Sequence, residues 1–395
     1  MRPKIMPPPE LSPSAPIGQR LPLLERLLTG RPTGFPNLLI WLEFGILRNL
    51  RGALTALIAA WLYIPVALTA AVALGLYGAM LATVFSAAST DGTISASLHI
   101  PLLSDAFATL SAKTGGVGTA MTGAALGMAI GFLLGLAWVF LSPFDNGLID
   151  GFAVLLVTIA LGVVVGLLYT LYRVVFERKL LHITGARRMS RREAALILPL
   201  VEEAAARLGL PNHPPVLVDD SNEPVAHAHT RHIVITRGFL EHFAYDRETI
   251  SAILAHELVH WRNGDPVSAS FVRGVALPLY VVQAAAGSLL NQTRNSLLRF
   301  LLWTIFWPVF VTVRYLVVPM QATDSREAEY RADQGAVLAG YRAGMRHILS
   351  DLRRSFEGGR NGWAAAICAS HPPPELRLER LEEPGRDYSL PEDGS

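Results

Sequence analysis

The stretch Asp246–Asp265, DRETISAILAHELVHWRNGD, decides how the rest of the chain is read. Ile250, Ile253, Leu254, Leu258 and Trp261 recur at spacings of three and four, the period of a helix with one buried face. Asp246 stands where an N-cap belongs, and Gly264 where a C-cap glycine does. His256 and His260 are four residues apart, so on that helix they lie one above the other. Two imidazoles stacked in this way can hold one Zn²⁺ at about 2.0–2.1 Å each. Glu257 is rotated by about 100° from His256, beside such an ion rather than on it, where it can take a proton from a water.

A zinc ion with a position left open needs a third protein ligand. The candidate is Glu329 in Glu329-Tyr330-Arg331-Ala332-Asp333, a run with helical character. Asp333 lies four residues on, facing the same way, and can accept the outer N–H of a ligand histidine and so fix its tautomer. Glu327 competes for the ligand role by charge, but a spacing of two points it elsewhere. His227, His229 and His232 form a second histidine cluster. Strand alternation would put His227 and His229 on one face and His232 on the other, which suits cleft lining or solvent better than a second metal.

Around this motif the chain is unusually apolar. Of 395 residues, 51% are hydrophobic and 17% charged, against about 25% charged in soluble domains. Five stretches can enter a bilayer: residues 53–85, 116–141, 149–176, 267–290 and 297–319. The first contains Pro65 and could be one long tilted helix or a kinked hairpin; the fourth contains Arg273 and Pro278. The run GAALGMAIGFLLGLA is dense in small residues, which let membrane helices approach closely. Net charge is +2, without the basic excess of a nucleic-acid binder. One cysteine, Cys368, excludes an internal disulfide or a multi-cysteine metal site. The proline-rich start, MPPPELSPSAP, reads as an extended tail and not as a cleavable signal peptide.

Residues 173–192, at and beyond the end of the third apolar stretch, carry Arg173, Arg178, Lys179, Arg187, Arg188, Arg191 and Arg192, which places the next polar region in the cytoplasm. Arg20, Arg26, Arg31, Arg48 and Arg51 argue the same for the N-terminal arm. Three single crossings cannot join two cytoplasmic ends, so the first stretch is a hairpin, or one stretch does not span, or the arm lies outside. In the polar region Ser190 and Glu193 form a capping box, Pro199 should kink the helix that follows, and PPVLVDD and RHIVIT read as strands.

HELVHWRNGD, SREAEYRAD and SHPPPELRLERL resemble, in their order along the chain, the three signature stretches of the HtpX-type and CAAX-prenyl-endopeptidase-type membrane zinc metallopeptidases. The resemblance covers roughly residues 178–383. It implies that His256, His260 and Glu329 bind one Zn²⁺, that Glu257 is the general base and that Asp333 supports a ligand. It further implies that His371 and Arg377 stabilise the oxyanion of the attacked peptide. An extended substrate would pair with an edge strand near Val225, Ala226 and His227. There the chain departs from the family, with SNEPVAHAHTRHIVIT where relatives carry an N-A-F-A-like stretch.

The expected fold is mainly α: a multi-span helical membrane protein whose small α+β zincin-like metalloprotease domain is split by a transmembrane hairpin. The expected divisions are a basic arm (1–51), an N-terminal transmembrane region (52–176), a first metalloprotease segment with the His-Glu-His helix (177–266), the hairpin (267–319), a second metalloprotease segment with the third ligand (320–383) and a disordered tail (384–395). The expected activity is hydrolysis of peptide bonds in membrane or membrane-proximal, misfolded proteins. Its partners are then protein substrates and the bilayer, with no nucleic acid. The expected location is the bacterial inner membrane with the catalytic domain cytoplasmic. A zinc-stabilised scaffold without turnover is the alternative, and the intact Glu257 argues against it.

Overall fold

The computed structural model describes residues 49–90, 101–356 and 371–382. The arm up to Arg48, Cys368 and the C-terminal tail lie outside the described residues. The chain divides into two compact units, one made of Met1–Ala53, Leu167–Val272 and Pro319–Ser395, the other of Leu54–Gly166 and Arg273–Val318.

The second unit is helical. The first apolar stretch is two helices, α1 (Leu50–Trp61) and α2 (Ile64–Thr90). They part at Leu62–Tyr63, where Tyr63 has φ 60, just ahead of Pro65. α3 (Pro101–Leu141) packs along α2. A methyl group added at Gly78, Gly127, Gly131 or Gly135 would strike the facing backbone, so these small residues are what allow the close approach. A short turn, Ser142–Phe144, leads into α4 (Leu148–Ile183).

Ile64–Val84, Ala120–Phe144, Leu148–Ile183 and Ser296–Leu338 are each long and apolar enough to cross a membrane. Leu133, Trp138, Leu156 and Val157 stay exposed on these helices, as lipid-facing residues do. At 36 residues α4 is about 54 Å long, well beyond the ~30 Å hydrocarbon core, so its basic last turns continue past a single crossing.

The first unit holds the sheet. β1 (Ala186–Arg188), β2 (Val216–Asp219), β3 (Ala226–Ala228) and β4 (Ile233–Thr236) are ordered β1-β2-β4-β3. β2 and β4 are parallel, and β1 and β3 are the antiparallel edges. α5 (Arg191–Arg207) starts at the Ser190–Glu193 capping box and keeps Pro199 inside one helix. α6 (Arg237–His242) is capped by Thr236. α7 (Arg247–Asn263) has Asp246 as N-cap, accepting from the Thr249 N–H, and ends at Gly264 with φ 72, a backbone conformation that favours glycine.

α7 is more enclosed than its period suggests. Ile250, Leu254 and Leu258 are fully buried, each contributing about 1.5–3 kcal/mol. Thr249, Ser251, Ala252 and Ala255 are buried as well, because α5 and α12 (Arg342–Phe356) also pack against it.

After α7 come α8 (Asp265–Val275) and α9 (Leu277–Gln292), bent by 66° at the break before Pro278. α10 (Ser296–Thr312) runs through a π-helical turn, Val313–Val317, into α11 (Val318–Leu338). The last apolar stretch and the Glu329 helix are therefore one continuous 43-residue helix. α13 (Pro374–Glu382) closes the described chain.

Candidate metal centre

His256, His260 and Glu329 converge, with one ligand atom from each lying within 4.8 Å of the others. The two Nε2 atoms are 3.1 Å apart. Glu329 Oε2 is 3.5 Å from His256 Nε2, and Glu329 Oε1 is 3.5 Å from His260 Nε2. Tetrahedral ligands about 2.0–2.1 Å from a zinc ion stand about 3.4 Å apart, so these separations suit that ion.

The outer nitrogens support the same reading. His260 Nδ1 lies 2.8 Å from Asp265 Oδ2. His256 Nδ1 lies 3.0 Å from Asp333 Oδ1, close but without the alignment of a full hydrogen bond. Carboxylates at both Nδ1 atoms favour the Nδ1–H tautomer, which leaves two Nε2 lone pairs and a carboxylate facing one point. Burial opposes charge on the imidazoles. Even so, Asp333 and Glu329 raise the pKa of His256, and Asp265 and Glu329 raise that of His260. The site is shaped for positive charge.

Close helix packing brings the two motifs together. Ala332 and Ala336 of α11 are fully buried, and a methyl group at Gly335 would strike Val259 of α7. Glu257 is 5% exposed, and its Oε2 accepts the Ala228 N–H at 2.5 Å. Ala228 is the last residue of β3, the edge strand, which also holds Ala226 and the exposed His227; Val225 immediately precedes it.

The late motif lies beside Glu329. Arg377 is 7% exposed, and its Nε and Nη2 donate to Asp333 at 2.7 and 2.6 Å, while Nη1 sits 3.0 Å from Glu329 Oε2. Its donors are engaged by the two carboxylates of the Glu329 helix. His371 Nδ1 is 2.9 Å from Glu329 Oε1 with the side chain largely exposed, beside the centre and open to solvent.

Asp265, 2.8 Å from His260 Nδ1, is a further residue of the site that the motif pattern did not single out, although its spacing of five from His260 was a usable signal. The histidine cluster is not one alternating strand, because β3 stops at Ala228 and His229–His232 is a turn in which His232 is buried.

His256, His260 and Glu329 could together hold a metal ion, in a chain with several membrane-length helices, and this arrangement fits the class of membrane-bound metalloproteases. The comparisons agree: the model of peptidase family M48 matches residues 191–385. A Protease HtpX homolog of Salinibacter ruber is 28% identical over 229 residues, 51% of this chain and 79% of the relative. A Protease HtpX homolog of Bordetella petrii is 30% identical over 214 residues, 48% of this chain and 71% of the relative. A Protease HtpX of Pseudomonas fluorescens is 32% identical over 174 residues, 39% of this chain and 58% of the relative. The chain belongs to peptidase family M48, as an HtpX-type integral membrane metallopeptidase.

Proposed function

We propose that the chain is a zinc endopeptidase that cleaves misfolded membrane or membrane-proximal proteins. Its metal centre takes one Zn²⁺ on His256, His260 and Glu329. Zinc, when bound, supplies Lewis acidity and brings the pKa of a water towards 7. The observation that carries the reading is the convergence of those three ligands beside Glu257 and the β3 edge.

Glu257 takes the proton of the attacking water as the oxygen bonds to the peptide carbonyl carbon, and delivers it to the amine as the C–N bond breaks. The substrate lies extended along Val225, Ala226 and His227, held by backbone pairing that needs no particular side chain. His371 donates to the oxyanion. Asp333 and Asp265 orient the ligand histidines, and Arg377 holds Asp333 and Glu329 in place.

In this reading residues 177–266 and 320–383 are the two halves of one catalytic domain, interrupted by the hairpin 267–319. They work on the cytoplasmic side of a bacterial inner membrane, next to the basic residues that follow α4. The test is Glu257→Gln in the full chain, with a casein-like substrate and zinc present. Turnover should fall by about 10²–10⁴ with bound zinc unchanged. Equal cleavage by the two proteins would refute the mechanism. Loss of activity with a chelator and recovery with zinc separate it from a scaffold without turnover.

A further inference from the structure

Away from the metal centre, four donors converge on one carboxylate. Glu177 sits near the end of α4 and is 4% exposed. Its Oε2 accepts the Thr230 N–H at 2.8 Å and also the Thr230 hydroxyl. Its Oε1 accepts the Arg231 N–H at 2.8 Å and lies 2.9 Å from His232 Nδ1. A carboxylate offers about four acceptor positions, and one short segment fills them all.

That segment is the turn between β3 and β4, closed by the His229 N–H donating to the His232 carbonyl at 2.7 Å. Thr230 and His232 are buried. The two backbone N–H groups that Glu177 accepts have no ladder partner in the sheet, and buried backbone donors are costly to leave unmet. The turn continues directly from Ala228, whose own N–H is held by Glu257. One carboxylate therefore fixes the turn, the turn fixes the end of the edge strand, and the strand meets the proposed general base.

We propose that Glu177 is a positioning residue for substrate, holding β3 in the register at which an extended peptide pairs with it. This rests on the reading of β3 as the substrate edge. Glu177 touches neither substrate nor metal ligand; it acts through Thr230, Arg231 and Ala228. A strand held in advance spares the peptide the cost of ordering it, so loss of the brace weakens binding more than it slows the chemical step.

The test uses the full chain in lipid nanodiscs, zinc-loaded, as wild type, Glu177→Gln and Thr230→Val. The amide of Glu177→Gln presents N–H donors to donors, whereas Thr230→Val removes a single hydroxyl. The expected result for Glu177→Gln is a KM for peptide raised about tenfold, kcat within about twofold, unchanged zinc content and faster backbone hydrogen exchange over residues 224–232. Thr230→Val should move the same quantities in the same direction by less.

Unchanged KM, or unchanged exchange over 224–232, overturns the proposal. So does a loss of kcat and zinc with KM unmoved, the pattern of general collapse at the metal centre. If Glu177→Gln does not fold, Thr230→Val decides by the same criteria. If wild type cleaves nothing, the protease reading has failed, while the exchange comparison still decides whether Glu177 holds the strand.

Discussion

Two ionic clusters in the unit that holds the sheet use the same chemistry at different depths. In one, Arg377 grips Asp333 with two hydrogen bonds and lies 3.0 Å from Glu329, with all three residues at most 7% exposed. In the other, Arg187 meets Glu193 at 2.9 Å through both terminal nitrogens and Asp220 at 2.9 Å, with its side chain 36% exposed. The geometries are alike. Water solvates the second cluster far more than the first, so burial rather than bond length sets what each is worth.

The largest effect should come from breaking the buried cluster. Arg377→Met leaves Asp333 and Glu329 buried without their cation, and unfolding in denaturant should show a loss of about 3–5 kcal/mol. Bound zinc, measured by elemental analysis, should fall with it. A stability within about 1 kcal/mol of wild type would mean that Asp333 and Glu329 find other partners.

A smaller loss is expected at the edge of the centre. Asp265→Ala removes the carboxylate 2.8 Å from His260 Nδ1, and zinc affinity, titrated against a competing chelator, should drop about 10–100-fold. An unchanged affinity would show that Asp333 and Glu329 alone orient the histidines.

The smallest effect belongs to the exposed cluster. Arg187→Met should cost about 1 kcal/mol after solvent screening. Its pH dependence has a definite sign. The hydrogen bond from Arg187 lowers the Glu193 pKa from 4.5 to about 2. A depressed folded-state pKa stabilises the protein above the unfolded value, so the contribution is full above pH 4.5 and is lost as the pH falls through about 2. Acid titration of wild type and Arg187→Met should therefore converge at the acid end; a gap that widened on acidification would contradict this assignment.

Between the centre and the membrane helices, legibility also differs. The α7 helix, its two caps and its paired histidines follow from spacing alone, because a helix repeats every 3.6 residues and its caps are local. The β1 and β3 strands are three residues each, too short for a period of two to register. The break at Leu62–Tyr63 fell ahead of the proline that flagged the region, since Tyr63 and not Pro65 carries the unusual φ.

By itself the sequence determined the apolar segments, the capped α7 helix and the chemistry of its His-Glu-His face, all of which depend on residues close to one another along the chain. Only the tertiary structure decided which charges meet. Arg377 and Asp333 are 44 positions apart, and Glu177 and His232 are 55 apart. No local period encodes such pairings. They exist because helices α4, α11 and α13 and the β3–β4 turn are packed until each buried carboxylate has its donors, and a buried carboxylate without them is too costly to keep.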